Sequence, residues 1–194
     1  TNAADQTSIN SLIGGSNNTV SNANCSITIG NNITVDSNTY GIFMGEGGAA
    51  TGGSRNALFG LNNVIYNADN SFISGKNNQL TNCENNILVG ESNTISNISN
   101  SFLTGKNNSV SGTTARNVFM FGQNHVASGS VIDCLVGGTN NTITNSTCQF
   151  VFGANFNISN CDFGLVFGQE NIDIGGDTNS LLGYKNTFRQ VENG

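Results

Sequence analysis

Proline and tryptophan are absent from this 194-residue chain, and only 9% of its residues are charged, about a third of the share in an ordinary globular domain. Lys and Arg number six against twelve Asp and Glu, a net charge of −6. With no basic stripe to release phosphate counterions, nucleic acid is not an expected partner. No run approaches the ~18 apolar residues of a membrane span, so direct membrane insertion of this segment is not expected either.

Catalytic and metal-binding constellations are also missing. The one histidine, His125, has no oriented nucleophile or carboxylate beside it in the sequence; Asp133 is the nearest acid, and a place on a solvent-facing bulge is expected. The acids are scattered with no pair set for glycoside or acid–base chemistry, so no enzyme is expected. The five cysteines, Cys25, Cys83, Cys134, Cys148 and Cys161, follow no C-x-x-C zinc or redox spacing. Cys134 and Cys148 are placed where a bridge is open to them, but small buried residues at strand entrances are the simpler account. No metal or cofactor is expected. Asn-x-Ser/Thr sequons recur only as often as this composition makes them.

What the chain does have is a period. Gly15, Gly30, Gly45, Gly60, Gly75, Gly90, Gly105, Gly122, Gly138, Gly153, Gly168 and Gly183 stand 15 residues apart, except for one interval of 17 and one of 16. Such self-similarity means one small unit laid down repeatedly. Two residues before the glycines runs an apolar column that includes Phe43, Leu58, Ile73, Leu88, Leu103, Met120, Val136, Val151 and Val166. Three residues before them runs another, including Ile42, Phe72, Ile87, Phe102, Phe119 and Phe150. Adjacent residues of a strand point to opposite faces, so this strand is expected to be buried on both sides. A third apolar column, five residues after the glycine, sits between polar neighbours and predicts a second strand with one wet face. Two short strands and two turns in 15 residues predict an all-β parallel β-solenoid, or β-roll, of about twelve coils stacked ~4.8 Å apart, a rod roughly 55 Å long.

The corners are expected at Gly15, Gly30, Gly60, Gly75, Gly90 and Gly105 and at Asn32, Asn62, Asn77, Asn107, Asn140 and Asn155, because Gly and Asn tolerate positive φ. Stacked asparagines can pair their amides from coil to coil. Calcium is disfavoured, since these rows lack charged oxygen ligands and Gly175-Gly176-Asp177 is not repeated. Lys76, Glu91 and Lys106 are expected to stack as an alternating column. Recognition loops are sought where the pattern weakens: Gly45 to Arg55, with Glu46 and Arg55, and the region where the period slips, with Arg116 and His125.

A coil of two strands has one lumen, so the second apolar face needs a cover from outside, and the same stripe on another copy supplies it. A homo-oligomer is expected, with three chains favoured. The repeat starts within the first dozen residues and runs to Phe188, which leaves little room for caps and predicts that residues 1–194 are one β-roll domain cut from a longer fibrous protein.

At Asn70 to Gly75 (N-S-F-I-S-G), Asn100 to Gly105 (N-S-F-L-T-G) and Cys25 to Gly30 (C-S-I-T-I-G) the chain resembles the head repeats of trimeric autotransporter adhesins, and similar repeats occur in phage and virus fibres. The resemblance implies a left-handed parallel β-roll, three chains side by side, exposed on a cell or virion surface and binding a host surface protein or glycan. A fibre spacer with no receptor site of its own is the alternative. The chain departs from the adhesin pattern in its period of 15, its Asn-Asn corners, its many Phe residues and its cysteines.

Overall fold

In the computed structural model residues 1–5, 8, 10–112, 115–147, 149–168 and 173–184 are described, and the chain divides into two compact units, Thr1–Ile95 and Ser96–Gly194. Both are parallel β-solenoids. Together they hold about ten coils of roughly 15 residues with two strands each, and no helix occurs among the described residues. The count falls short of twelve because the segments of the last coils run together into the strands Asn157–Gly168 and Asp173–Gly183.

In the first unit the long strands Leu12–Ser16, Ile27–Asn31, Ile42–Glu46, Ala57–Leu61, Phe72–Lys76 and Ile87–Glu91 pair in unbroken register, glycine opposite glycine from Gly15 to Gly90. Short strands Thr19–Ser21, Thr34–Asp36, Ala49–Thr51, Val64–Tyr66 and Gln79–Thr81 form a second ladder. In the second unit Phe102–Lys106, Phe119–Gln123, Leu135–Thr139 and Phe150–Ala154 continue the same way, and the glycines again face one another from Gly105 to Gly183. Lys76 is paired with Glu91, as the expected column requires.

Two strands and two turns do not complete a coil. A third side is made by single bridging residues, Asn24–Thr39–Ser54 and Asp69–Glu84 in the first unit and Ser99–Arg116–Ile132–Thr147–Asp162 in the second. The extra side needs an extra corner, and the coils of the first unit turn at three positive-φ residues besides the stacked glycine. Asn62, Asn67 and Asn70 (φ 52, 49 and 51°) are one such set. Asn fills most of these positions because its short polar side chain tolerates the left-handed region. The third corner shows no asparagine rule at Cys25, Tyr40 and Arg55, all with φ of 55–59°, which is why composition alone does not reveal it.

The lumen takes the residue two before each glycine and the residue five after it. Phe43, Leu58, Ile73, Leu88, Leu103, Met120, Val136 and Val151 are buried, as are Val20, Val35, Ile65, Leu80, Val110, Ala127 and Ile143. Val166 holds the same register opposite Val151. Each such side chain contributes about 1.5–3 kcal/mol by leaving water. Thr28 is the polar member of the first column; its Oγ1 is buried without a hydrogen-bond partner. Thr28→Val keeps the shape and removes the lone hydroxyl, so a gain of about 1–2 kcal/mol is expected, read as a higher urea midpoint.

The irregular intervals are absorbed at one place. From short strand to bridging residue the second unit counts seven positions (Ser109 to Arg116), then six (Val126 to Ile132), then five (Thr142 to Thr147). The slack lies at the corner after the short strand, and both ladders close in register beyond it.

Candidate functional site

The long strands alternate out, in, out before the glycine, and their outer face is apolar twice over. Three residues before the glycine, Leu12, Ile27, Ile42, Phe72, Ile87, Phe119, Phe150 and Leu165 are 37–58% exposed. One residue before it on the same face stand Ile29, Met44, Phe59 and Val89 in the first unit and Phe121 and Phe152 in the second. The columns touch at Phe59 and Phe72, whose rings lie 5.7 Å apart; within the outer column Phe102 and Phe119 stand 6.1 Å apart, and within the nearer one Phe121 and Phe152 meet at 5.7 Å beside Gly137. The residues Phe43 to Val151, expected as interface or core, belong to the core. The candidate interface is the pair of columns beside them. The nearer column escapes a sequence reading because Gly14, Ser74, Thr104 and Gly137 interrupt it, although strict alternation from Phe72 or Phe119 points to it.

At the edge of this face in the second unit, a depression of about 380 Å³ is lined by Asn117, Phe119, Asp133, Cys134, Leu135 and Phe150. Asn117 Nδ2 donates to Asp133 Oδ1 (2.6 Å) at its rim.

A buried amide ladder stiffens the corner after the glycine. Asn63, Asn78 and Asn93 are stacked, each at most 1% exposed. Asn78 Nδ2 donates to the carbonyls of Ser74 (3.3 Å) and Gly90 (2.8 Å) and to Asn63 Oδ1 (3.1 Å), and Asn78 Oδ1 accepts from the backbone N–H of Asn93 (3.0 Å). At the surface a second row links Asn107, Asn124, Asn140 and Asn155 by amide bonds of 2.9–3.2 Å. These amides are taken up by one another and by backbone, which accounts for their frequency without a ligand.

His125 is not on a solvent-facing bulge: it is fully buried, in the place of an asparagine in the inner ladder. Its backbone N–H donates to Asn108 Oδ1 (3.0 Å), its Nδ1 accepts from the N–H of Asn141 (3.2 Å), and its Nε2 lies 3.2 Å from the carbonyl of Phe121. The slips in period that suggested a bulge fall between Ser111 and Arg116 and between Ser128 and Ile132, on either side of this residue.

Gly45 to Arg55 likewise forms an ordinary coil, with Gly47 (φ 64°) and Gly52 (φ 70°) at corners where neighbouring coils use Asn62 and Asn67. Glu46 is exposed at the end of a long strand, whereas Arg55 is exposed at the third corner, its Nε donating to Asn70 Oδ1 (2.5 Å). Different corners of the coil carry them, so they form no cluster. Arg116 is exposed on the bridging side, next to the slack corner. Cys83 and Cys134 are buried thiols; Cys25 is half-buried at a corner. Cys148, Phe188, Asn171 and Asn186, and the side chains of Cys161 and Val166, lie outside the described residues.

Asp36 carries a perturbed carboxylate. Hydrogen bonds from Ser21 Oγ (2.7 Å), Asn22 and Ser37 hold it below its ordinary range, with the Ser21 bond the largest cause. A carboxylate so held stays ionised, the opposite of what a proton donor near neutrality needs. Among the described residues no three His, Cys, Asp or Glu side chains are grouped to hold a metal ion.

What the arrangement offers is therefore a surface: on each unit, an apolar face flanked by polar, mostly uncharged sides. Neither a family model nor a curated protein matches this chain.

Proposed function

We propose that the chain forms the head or shaft of a fibre on a cell or virion surface, assembled from three copies side by side, and that it works by attachment rather than by chemistry. The two-column apolar face is the supporting observation. In the first unit six large side chains, Leu12, Ile27, Ile29, Ile42, Phe72 and Ile87, are 37–58% exposed there. At ~200 Å² a side chain this amounts to roughly 500 Å², at the upper end of what a monomer leaves contiguous. A second copy is a chemically matched cover, because identical columns repeating every 15 residues set like against like at each coil. Three copies, rather than two, follow from the resemblance to adhesin head repeats. Three copies would also multiply a weak contact with a host surface protein or glycan into avidity.

The spacer reading keeps a specific support: Gly45 to Arg55 builds a regular coil and leaves no loop there. Altering that segment, or Gly112 to Ser130, abolishes attachment if these residues bind a receptor and leaves it intact in a spacer.

The mass in solution tests the assembly. A trimer at micromolar concentration is expected, and Phe119→Glu with Phe150→Glu should convert it to a monomer that keeps its strand circular dichroism. A wild-type chain that is a stable monomer overturns the assembly.

A further inference from the structure

We propose that His125 is an acid-sensitive link in the buried ladder of the second unit, so that acidification loosens the coils on either side of it. Asparagine fills the same place above and below, at Asn108 and Asn141, and its amide does not titrate in the physiological range. His125 meets the same demands only in one state. Nδ1 must be an acceptor, since the backbone N–H of Asn141 points at it from 3.2 Å. Nε2 must carry the proton, since the carbonyl of Phe121 lies 3.2 Å from it and the backbone of Gly138 also bonds the ring. A proton taken from solvent onto Nδ1 sets two donors against each other in a fully buried place and leaves the N–H of Asn141 without its acceptor.

The groups around the ring are neutral: Asn108 on one side, Asn141 on the other, and the strand residues Phe121, Gly122 and Gly138. Lys106, at the end of the neighbouring long strand, and Asp133, at the corner before Leu135–Thr139, are both exposed, and Asp133 accepts from Asn117. Among the described residues no anion stands by to stabilise an imidazolium. Burial accordingly pushes His125 below its ordinary value of 6.5, outweighing the backbone carbonyls that act the other way. The folded value lies below the unfolded one, so the unfolded chain binds more protons in between. Stability is full above pH ~6.5 and declines as pH falls through the folded value.

The test compares the urea unfolding of the full chain with that of His125→Asn at pH 7.5 and 5.0. The wild-type unfolding constant is expected to rise at least tenfold more over this interval than the variant's. Equal pH dependence of the two overturns the proposal. A second measurement stands even if the variant does not fold. The chain has one histidine, so an imidazole ¹⁵N spectrum of the wild type has one source. A neutral Nε2–H ring persisting below pH 6.5 is expected; an Nδ1–H tautomer, or an imidazolium at pH 6.5 in the folded chain, overturns it.

Discussion

Replacing Gly75 with alanine is expected to cost at least 4 kcal/mol, on the order of the whole stability margin of a small domain, and to leave the first unit largely unfolded at room temperature. Two independent causes add. Gly75 has φ of 125°, a region that L side chains rarely enter and that costs about 1–3 kcal/mol by itself. A Cβ there would also be driven into the carbonyl oxygen of Gly90 on the next coil, a backbone atom held by the ladder and unable to move aside. The same collision awaits Gly30, Gly45, Gly105 and Gly138, each against the glycine that follows it in the stack. Gly14→Ala is the control. Its Cβ would meet only the side chain of Ile29, at 3.7 Å, so a change within about 0.5 kcal/mol is expected. Urea denaturation followed by circular dichroism separates the two; equal, small effects would mean that the glycine column is not sterically required.

Asn78→Asp is expected to be nearly as damaging at pH 7, although it changes one NH₂ into an oxygen. The amide donates to the carbonyls of Ser74 and Gly90, and a carboxylate oxygen in its place would face two acceptors in a buried site. Loss of these bonds and burial of an uncompensated charge together amount to about 3–5 kcal/mol. Protonation restores a donor, so the carboxyl's folded value is raised above its unfolded ~3.9. The variant should therefore be least destabilised below pH 4 and lose stability as pH rises. Melting curves of the variant and wild type at pH 4 and pH 7 check this. A loss independent of pH would mean that packing, rather than the donor pattern, decides the site.

Much of this fold is legible in the sequence because a solenoid repeats its constraints. Each coil must place a glycine under the next glycine's carbonyl, so Gly60, Gly75 and Gly90 report the same steric demand again and again. The inward column from Phe43 to Val151 is equally plain, since every member answers to the same lumen. Less visible is the third side. A single bridging residue such as Thr39 or Arg116 has no hydrophobic partner pattern, and its corner accepts Cys25, Tyr40, Arg55 and Asn70 alike. His125 misleads for another reason: a polar residue near a slip in period looks exposed, yet the buried ladder requires hydrogen-bonding side chains at that position. The outer apolar face is half legible, one column from Phe72 and Phe119 and its companion hidden by small residues. What meets that face lies in no single chain's sequence, because self-association and a foreign partner make the same demand on it.

The variable step between short strand and bridging residue carries an evolutionary consequence. A residue deleted from a long strand would throw its inward side chains outward and break the glycine stack at once. Between Ser111 and Arg116 and between Ser128 and Ile132 the step already varies in length while the long strands stay in register. Over evolution, changes of length are therefore expected to gather at that step rather than within the long strands.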